Sequence, residues 1–150
     1  MDVSFKAVVL DAAGRVLVGR NPRDEWELLG GRADPGDPDP HATIARELAE
    51  EAGIAVRIGE LVDIWYYDVP GAGRVAVASY LAHLDGDAEL VTSDEHAQLR
   101  FFSVDEVAGL DMPAGYTRTI LAAARLASGE RPGAIEPLSG PGWGPLASAG

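Results

Sequence analysis

Three glutamates, Glu47, Glu50 and Glu51, stand at i, i+3 and i+4 in the run RELAEEAGI at residues 46–54. On a helix this spacing gathers them on one side. The grouping costs stability by itself. Glu47 and Glu51 are like charges one turn apart, and Glu50 and Glu51 fall in the last turn, where the helix dipole disfavours anions. Arg46 can pair with Glu50 at i+4, but no basic residue lies three or four positions from Glu47 or Glu51 within the helix. A divalent cation would relieve the conflict. Carboxylates are hard oxygen ligands and suit Mg²⁺ or Mn²⁺ rather than zinc. The plain alternative is a solvated acidic helix face.

The element that must carry these acids has both of its ends written in the sequence. Asp39 suits an N-cap, Pro40 the first helical position, and Gly53 the position just past the end. Ile44, Leu48 and Ala52 recur every four residues with Ala45 and Ala49 beside them, so one face can pack on a sheet and the glutamates take the other.

With the preceding loop, residues 30–54 resemble the Nudix box, the signature of the Nudix hydrolase family. Residues 46–54 match its second half at every specified position. In the first half, Gly31 and Asp37 enclose five residues as the family's Gly and Glu do, but the acid is an aspartate. The eight residues between Asp37 and Arg46 are one more than the family has, and Pro38 is the expected insertion. Leu29 stands where the family usually has proline before the double glycine.

The resemblance implies an α/β fold, an α/β/α sandwich with a mixed sheet over roughly residues 2–128. It implies cleavage of the diphosphate in a nucleoside diphosphate derivative. By resemblance, Glu47, Glu50, Glu51 and the Gly30 carbonyl are the metal ligands, for Mg²⁺ or Mn²⁺. Glu50, Glu51 and Arg46 belong to the catalytic group, with Arg46 orienting carboxylates through Asp37. A glutamate of the loop at residues 92–96 serves several members as ligand or base, which makes Glu95 the expected base and Asp94 the next choice. Pro70, sixteen residues past Ile54, resembles a mark of ADP-ribose pyrophosphatases and slightly favours ADP-ribose or a related sugar nucleotide. The alternatives are a MutT-like nucleoside triphosphate pyrophosphatase and a non-catalytic nucleotide-binding Nudix domain.

The rest of the chain reads as scaffold and pocket. Strands are expected over residues 3–10, 15–20, 26–29, 56–69 (broken near Gly59), 75–84 and 99–103. A short helix is expected over 104–110. A longer one follows Pro113, with Tyr116, Ile120, Ala123 and Ala127 as its apolar face. The order β-β-β-α-β-β-β-α again gives a mixed sheet covered on both faces. Arg20 at a strand end could hold a phosphate. Trp26 could stack on a base, though packing competes for it, and Tyr66 could line a pocket, its neighbour Tyr67 facing the other way. The three histidines show no ligand spacing.

Length fits one domain, residues 1–129, followed by a Gly/Pro-rich tail, 130–150, with Trp143 its one large apolar anchor. With no cysteine, disulfides, thiolate metal sites and cysteine nucleophiles are excluded. The net charge of −12 argues against a broad nucleic-acid or anionic-membrane surface. The expected partner is therefore a small-molecule nucleotide, with a homodimer as the possible assembly. No stretch reads as a signal peptide or membrane span, so the cytoplasm is the expected location.

Overall fold

The structure, a computed structural model, describes residues 1–130, 137 and 138. Most of the expected tail, Trp143 included, lies outside the described residues. Leu138 is buried among core side chains.

The chain runs β1 (Asp2–Leu10), β2 (Val16–Arg20), β3 (Trp26–Glu27), β4 (Leu29–Gly31), α1 (Pro40–Ala52), β5 (Arg57–Val69), β6 (Gly73–His83), β7 (Gln98–Phe102), α2 (Val104–Val107) and α3 (Ala114–Ala127). Seven strands form one sheet in the order β3-β2-β1-β6-β5, with β4 on β1 and β7 on β2. β1 and β6 are parallel and the other pairings antiparallel, so the sheet is mixed. Val8, Val77, Trp65, Tyr116 and Ile120 pack on one face under α3, with Val107 of α2. Ala7, Val9, Ile44, Leu48 and Ala52 pack on the other under α1. This is the α/β/α sandwich.

One expected element divides. Residues 26–29 read as a single strand, but Trp26 and Glu27 pair with β2 while Leu29 to Gly31 pair with β1. β1 meets β2 only at Leu10 and Val16 and gives its edge at Phe5 to Ala7 to β4. The sheet therefore forks, with β2 and β3 on one arm and β1 and β4 on the other. The break expected near Gly59 is an irregularity in the β5–β6 ladder between Ile58 and Asp63. Ala127, expected on the buried face of α3, is exposed, and Thr119 and Ala122 are buried instead.

Thr119 is buried for a polar reason. Asp63 of β5 accepts hydrogen bonds from Arg118 Nη2 at 2.8 Å, Arg118 Nε at 3.1 Å and Thr119 Oγ1 at 2.7 Å, which ties α3 to the sheet. Replacing Asp63 with Ala takes away a carboxylate that holds a largely buried guanidinium and a buried hydroxyl. The expected cost is about 3 kcal/mol, read as a lower urea midpoint at unchanged slope. An unchanged midpoint would mean that apolar packing alone holds α3.

Candidate active site

α1 forms as its ends dictate. The Asp39 side chain accepts from Ala42 N at 2.9 Å, Pro40 opens the helix, and Gly53 closes it in the left-handed conformation at φ 67°. The glutamates do not share one solvent face. Glu51 is 2 % exposed and Glu47 is also buried, whereas the Glu50 side chain is 59 % exposed. Glu47 and Glu51 flank the apolar stripe and turn toward the fork in the sheet.

The double glycine makes room for them. Gly30 has φ 145°, and a Cβ there would stand 1.9 Å from the Phe5 carbonyl, so only glycine lets β4 lie this close to β1. A Cβ on Gly31 would come within 2.6 Å of the Glu47 carboxyl group. Gly30 N–H donates to Glu51 Oε2 at 3.0 Å, deep under the strand.

Arg46 organises the outer side. Its Nε and Nη2 donate to Asp37 at 3.1 and 2.9 Å, Nη1 to Glu47 at 3.1 Å and to Glu50 at 3.2 Å, and Nη2 also to the Arg32 carbonyl. Asp37 accepts as well from Asp34 N–H and Thr43 Oγ1, both at 2.9 Å. Arg46 first, then the Asp34 amide and Thr43, hold the Asp37 carboxyl well below the usual carboxylate range. The shorter acid in the longer loop is thus fully used.

The inner side is electrostatically crowded. Burial pushes the Glu51 carboxyl up to about 9, helped by the neighbouring Glu95 side chain and opposed by Lys6. Burial also raises Glu47, against Arg46. Donor atoms of Glu51, Glu95 and His96 lie within 4.8 Å of one another. A carboxyl forced to keep its proton by burial and a second acid is one that a cation would stabilise as carboxylate. The oxygen-rich donor set fits a hard divalent cation.

Three further residues at this place were not read from the sequence. His96 is buried, with Nε2 2.9 Å from Glu27 Oε2, and Glu27 Oε1 accepts from Asn21 Nδ2 at 2.8 Å. Burial acts to raise Glu27, but His96, Lys6 and Asn21 together bring it down to about 2. Lys6 is buried on β1, and burial lowers it less than the charges of Tyr116, Glu27, Glu51 and Glu47 raise it. Its signal in the sequence was a lysine on the strand face that continues as Val8 and Leu10.

The expected substrate residues fall elsewhere. Trp26 is corrected: it is 7 % exposed and edge-on to Phe102 at 5.2 Å, a core residue whose ring faces are committed to packing and to Arg20. Arg20 Nε lies 2.7 Å from Asp24, at an angle that makes no hydrogen bond. Tyr66 is 46 % exposed beneath Arg74, while Tyr67 on the other face of β5 packs with Trp65 and Tyr116. Strand parity therefore gives the inward position to Tyr67, and Tyr66 lies at the surface.

Known proteins resemble this chain in sequence and in fold. The family model described as NUDIX domain matches residues 2–122. A CTP pyrophosphohydrolase of Escherichia coli is 28 % identical over 109 residues, 69 % of this chain and 78 % of that protein. An RNA pyrophosphohydrolase of Acidiphilium cryptum is 32 % identical over 113 residues, 70 % of this chain but 63 % of that protein. The crystal structure of a C. elegans Ap4A hydrolase binary complex superposes with a TM-score of 0.76 over 86 % of this chain and 99 % of that one, at 21 % identity, a likeness of fold. Among the described residues no helix is long and apolar enough to cross a membrane.

Proposed function

The chain belongs to the NUDIX domain family and is a hydrolase of phosphoric anhydride bonds in nucleotide derivatives, and from that premise we propose that it cleaves a small nucleotide at a site held by Glu47, Glu50, Glu51 and Gly30. The observation that carries the reading is the buried Glu51 carboxyl, fixed by Gly30 N–H on one oxygen and crowded by Glu95 on the other side. These residues would hold Mg²⁺ or Mn²⁺, which when bound neutralises phosphate charge and acidifies a bound water. Arg46 fixes Glu47 and Glu50 in one arrangement by bonding both along with Asp37. Glu95, exposed on its loop, takes the proton from the attacking water as the bridging P–O bond breaks.

For the substrate, a nucleoside triphosphate is the first reading, because one relative is named for CTP. ADP-ribose is the second and rests on Pro70. That residue also begins the β5–β6 turn closed by Ala72 N–H on the Val69 carbonyl, which accounts for a proline there without any substrate. The chain's charge of −12 disfavours long RNA. A panel of nucleoside triphosphates, ADP-ribose and a 5′-triphosphate RNA oligomer, with Mg²⁺ and with chelator, separates these. The expected result is metal-dependent pyrophosphate release from a triphosphate. Monophosphates from ADP-ribose alone would give the second reading, and no hydrolysis of any member would overturn the function. Self-association as a homodimer is proposed from half-exposed Ile64 and Tyr66 on the edge strand β5. Light scattering decides it.

Arg46→Lys keeps the charge but replaces a planar fork by one ammonium, which cannot bond Asp37, Glu47, Glu50 and the Arg32 carbonyl together. Turnover and metal affinity are expected to fall ~10–100-fold, as for the loss of a partner that orients metal ligands. Equal rates for the two enzymes would show that charge alone suffices.

A further inference from the structure

His96 is the one histidine of the described chain that the fold buries against acids on two sides. Its side chain is 1 % exposed. The ring lies flat against Gly19 of β2, where a Cβ would stand 2.5 Å from the ring carbon Cδ2, so the strand carries a glycine at the place the imidazole occupies. Glu27, opposite Gly19 in the ladder, faces Nε2 at 2.9 Å and is held in turn by Asn21. An imidazole that donates to Glu27 through Nε2 presents its lone pair at Nδ1.

That lone pair has no hydrogen-bond partner. Nδ1 points at Glu51 Oε1 from 3.6 Å, too far for a hydrogen bond, while Glu51 Oε2 is already used by Gly30. A buried ring nitrogen left unsatisfied costs stability unless something fills the gap. Two donors each ~2.1 Å from one cation stand roughly 3–4 Å apart at ordinary bond angles. A histidine whose other nitrogen donates to a carboxylate is also the usual arrangement of a metal-bound imidazole.

We propose that His96 Nδ1 is a metal ligand, sharing a divalent cation with Glu51 Oε1 and aimed by Glu27, so that one cation position here has a nitrogen donor among its oxygens. The inference rests on the metal-dependent reading above. Glu95, on the solvent side of the same cluster, is left free for proton transfer. An imidazole donor favours Mn²⁺ over Mg²⁺ relative to an all-carboxylate set.

The test loads the full chain with Mn²⁺ alone and records pulsed electron paramagnetic resonance, in which a directly bound imidazole gives ¹⁴N modulation. His96→Gln keeps a donor near the place of Nε2 and removes the nitrogen at Nδ1. The expected result is ¹⁴N modulation in the wild type, its loss in His96→Gln, and Mn²⁺ affinity lowered at least ~10-fold with Mg²⁺ affinity less affected. Glu27→Gln should weaken Mn²⁺ binding ~10-fold. A wild-type Mn²⁺ complex without ¹⁴N modulation overturns the ligand assignment, whether or not the variant folds. Nucleotide hydrolysis with Mg²⁺ in the same preparation keeps the two readings apart. Hydrolysis without ¹⁴N modulation sinks only the imidazole ligand, whereas a protein that neither hydrolyses nucleotides nor binds Mn²⁺ sinks both.

Discussion

Glu51→Gln is expected to lower turnover about 10³-fold, the upper range for losing a major electrostatic contribution in a water-poor site. The fold should survive. The Gln carbonyl can accept from Gly30 N–H as Glu51 Oε2 does, and the side chain keeps its volume. The substitution also has a signature in stability. In the metal-free protein, burial and then Glu95 raise the Glu51 carboxyl from 4.5 to about 9. The unfolded chain therefore releases this proton at a lower pH than the folded one. The stabilisation is fully present below pH 4.5 and is lost as pH rises toward about 9. Thermal melts in chelator should thus show the wild type losing stability across that window and Glu51→Gln losing less. Added Mg²⁺ should raise the melting temperature most at the alkaline end, where the carboxylate is available to it. Glu50→Gln leaves Glu51 in place and should therefore keep the wild-type pH window. Wild-type turnover in Glu51→Gln would remove Glu51 from the site.

The parts of this arrangement that were legible in the sequence are those fixed by local rules. Asp39, Pro40 and Gly53 set both ends of α1 because caps act within a few residues. The pairing of Arg46 with Asp37 came from resemblance, and the loop closes on it despite Pro38. What spacing did not reveal is how deep each acid lies. Glu50 and Glu51 are adjacent in sequence, yet one faces solvent and the other the fork in the sheet, and that fork depends on which strand edge Leu29 joins. Trp26 was open to two readings until Phe102, far along the chain, took its ring. His96 escaped because ligand spacing is a local test and its partner Glu27 is 69 residues away. The trace it left was Gly19, an isolated glycine inside an apolar strand, which marks close approach by another group.

Glu95→Gln is expected to lower kcat at least ~10²-fold while KM stays near normal, since the lost interaction acts in the transition state. A helix carboxylate engaged by a cation is a poor proton acceptor, because the cation depresses its pKa. Glu95 is placed differently. It is exposed at the head of its loop, its own N–H 3.3 Å from Ser93 Oγ, and the next residue is anchored under β2 and β3 by Glu27. The loop is therefore pinned at His96 and presents the Glu95 carboxylate over Glu51 from the solvent side. The rate loss should shrink between about pH 7 and 9, where hydroxide replaces the missing base. The variant should also lower the Glu51 pKa, because the Glu95 side chain is the second cause of its rise after burial. The stability window in chelator should narrow with it. These readouts separate a base from a metal ligand. A base leaves Mn²⁺ affinity close to wild type and gives a pH-rescued kcat, whereas a ligand weakens Mn²⁺ binding and gives a loss that pH does not repair. An unchanged kcat across that range would return proton transfer to the glutamates of α1.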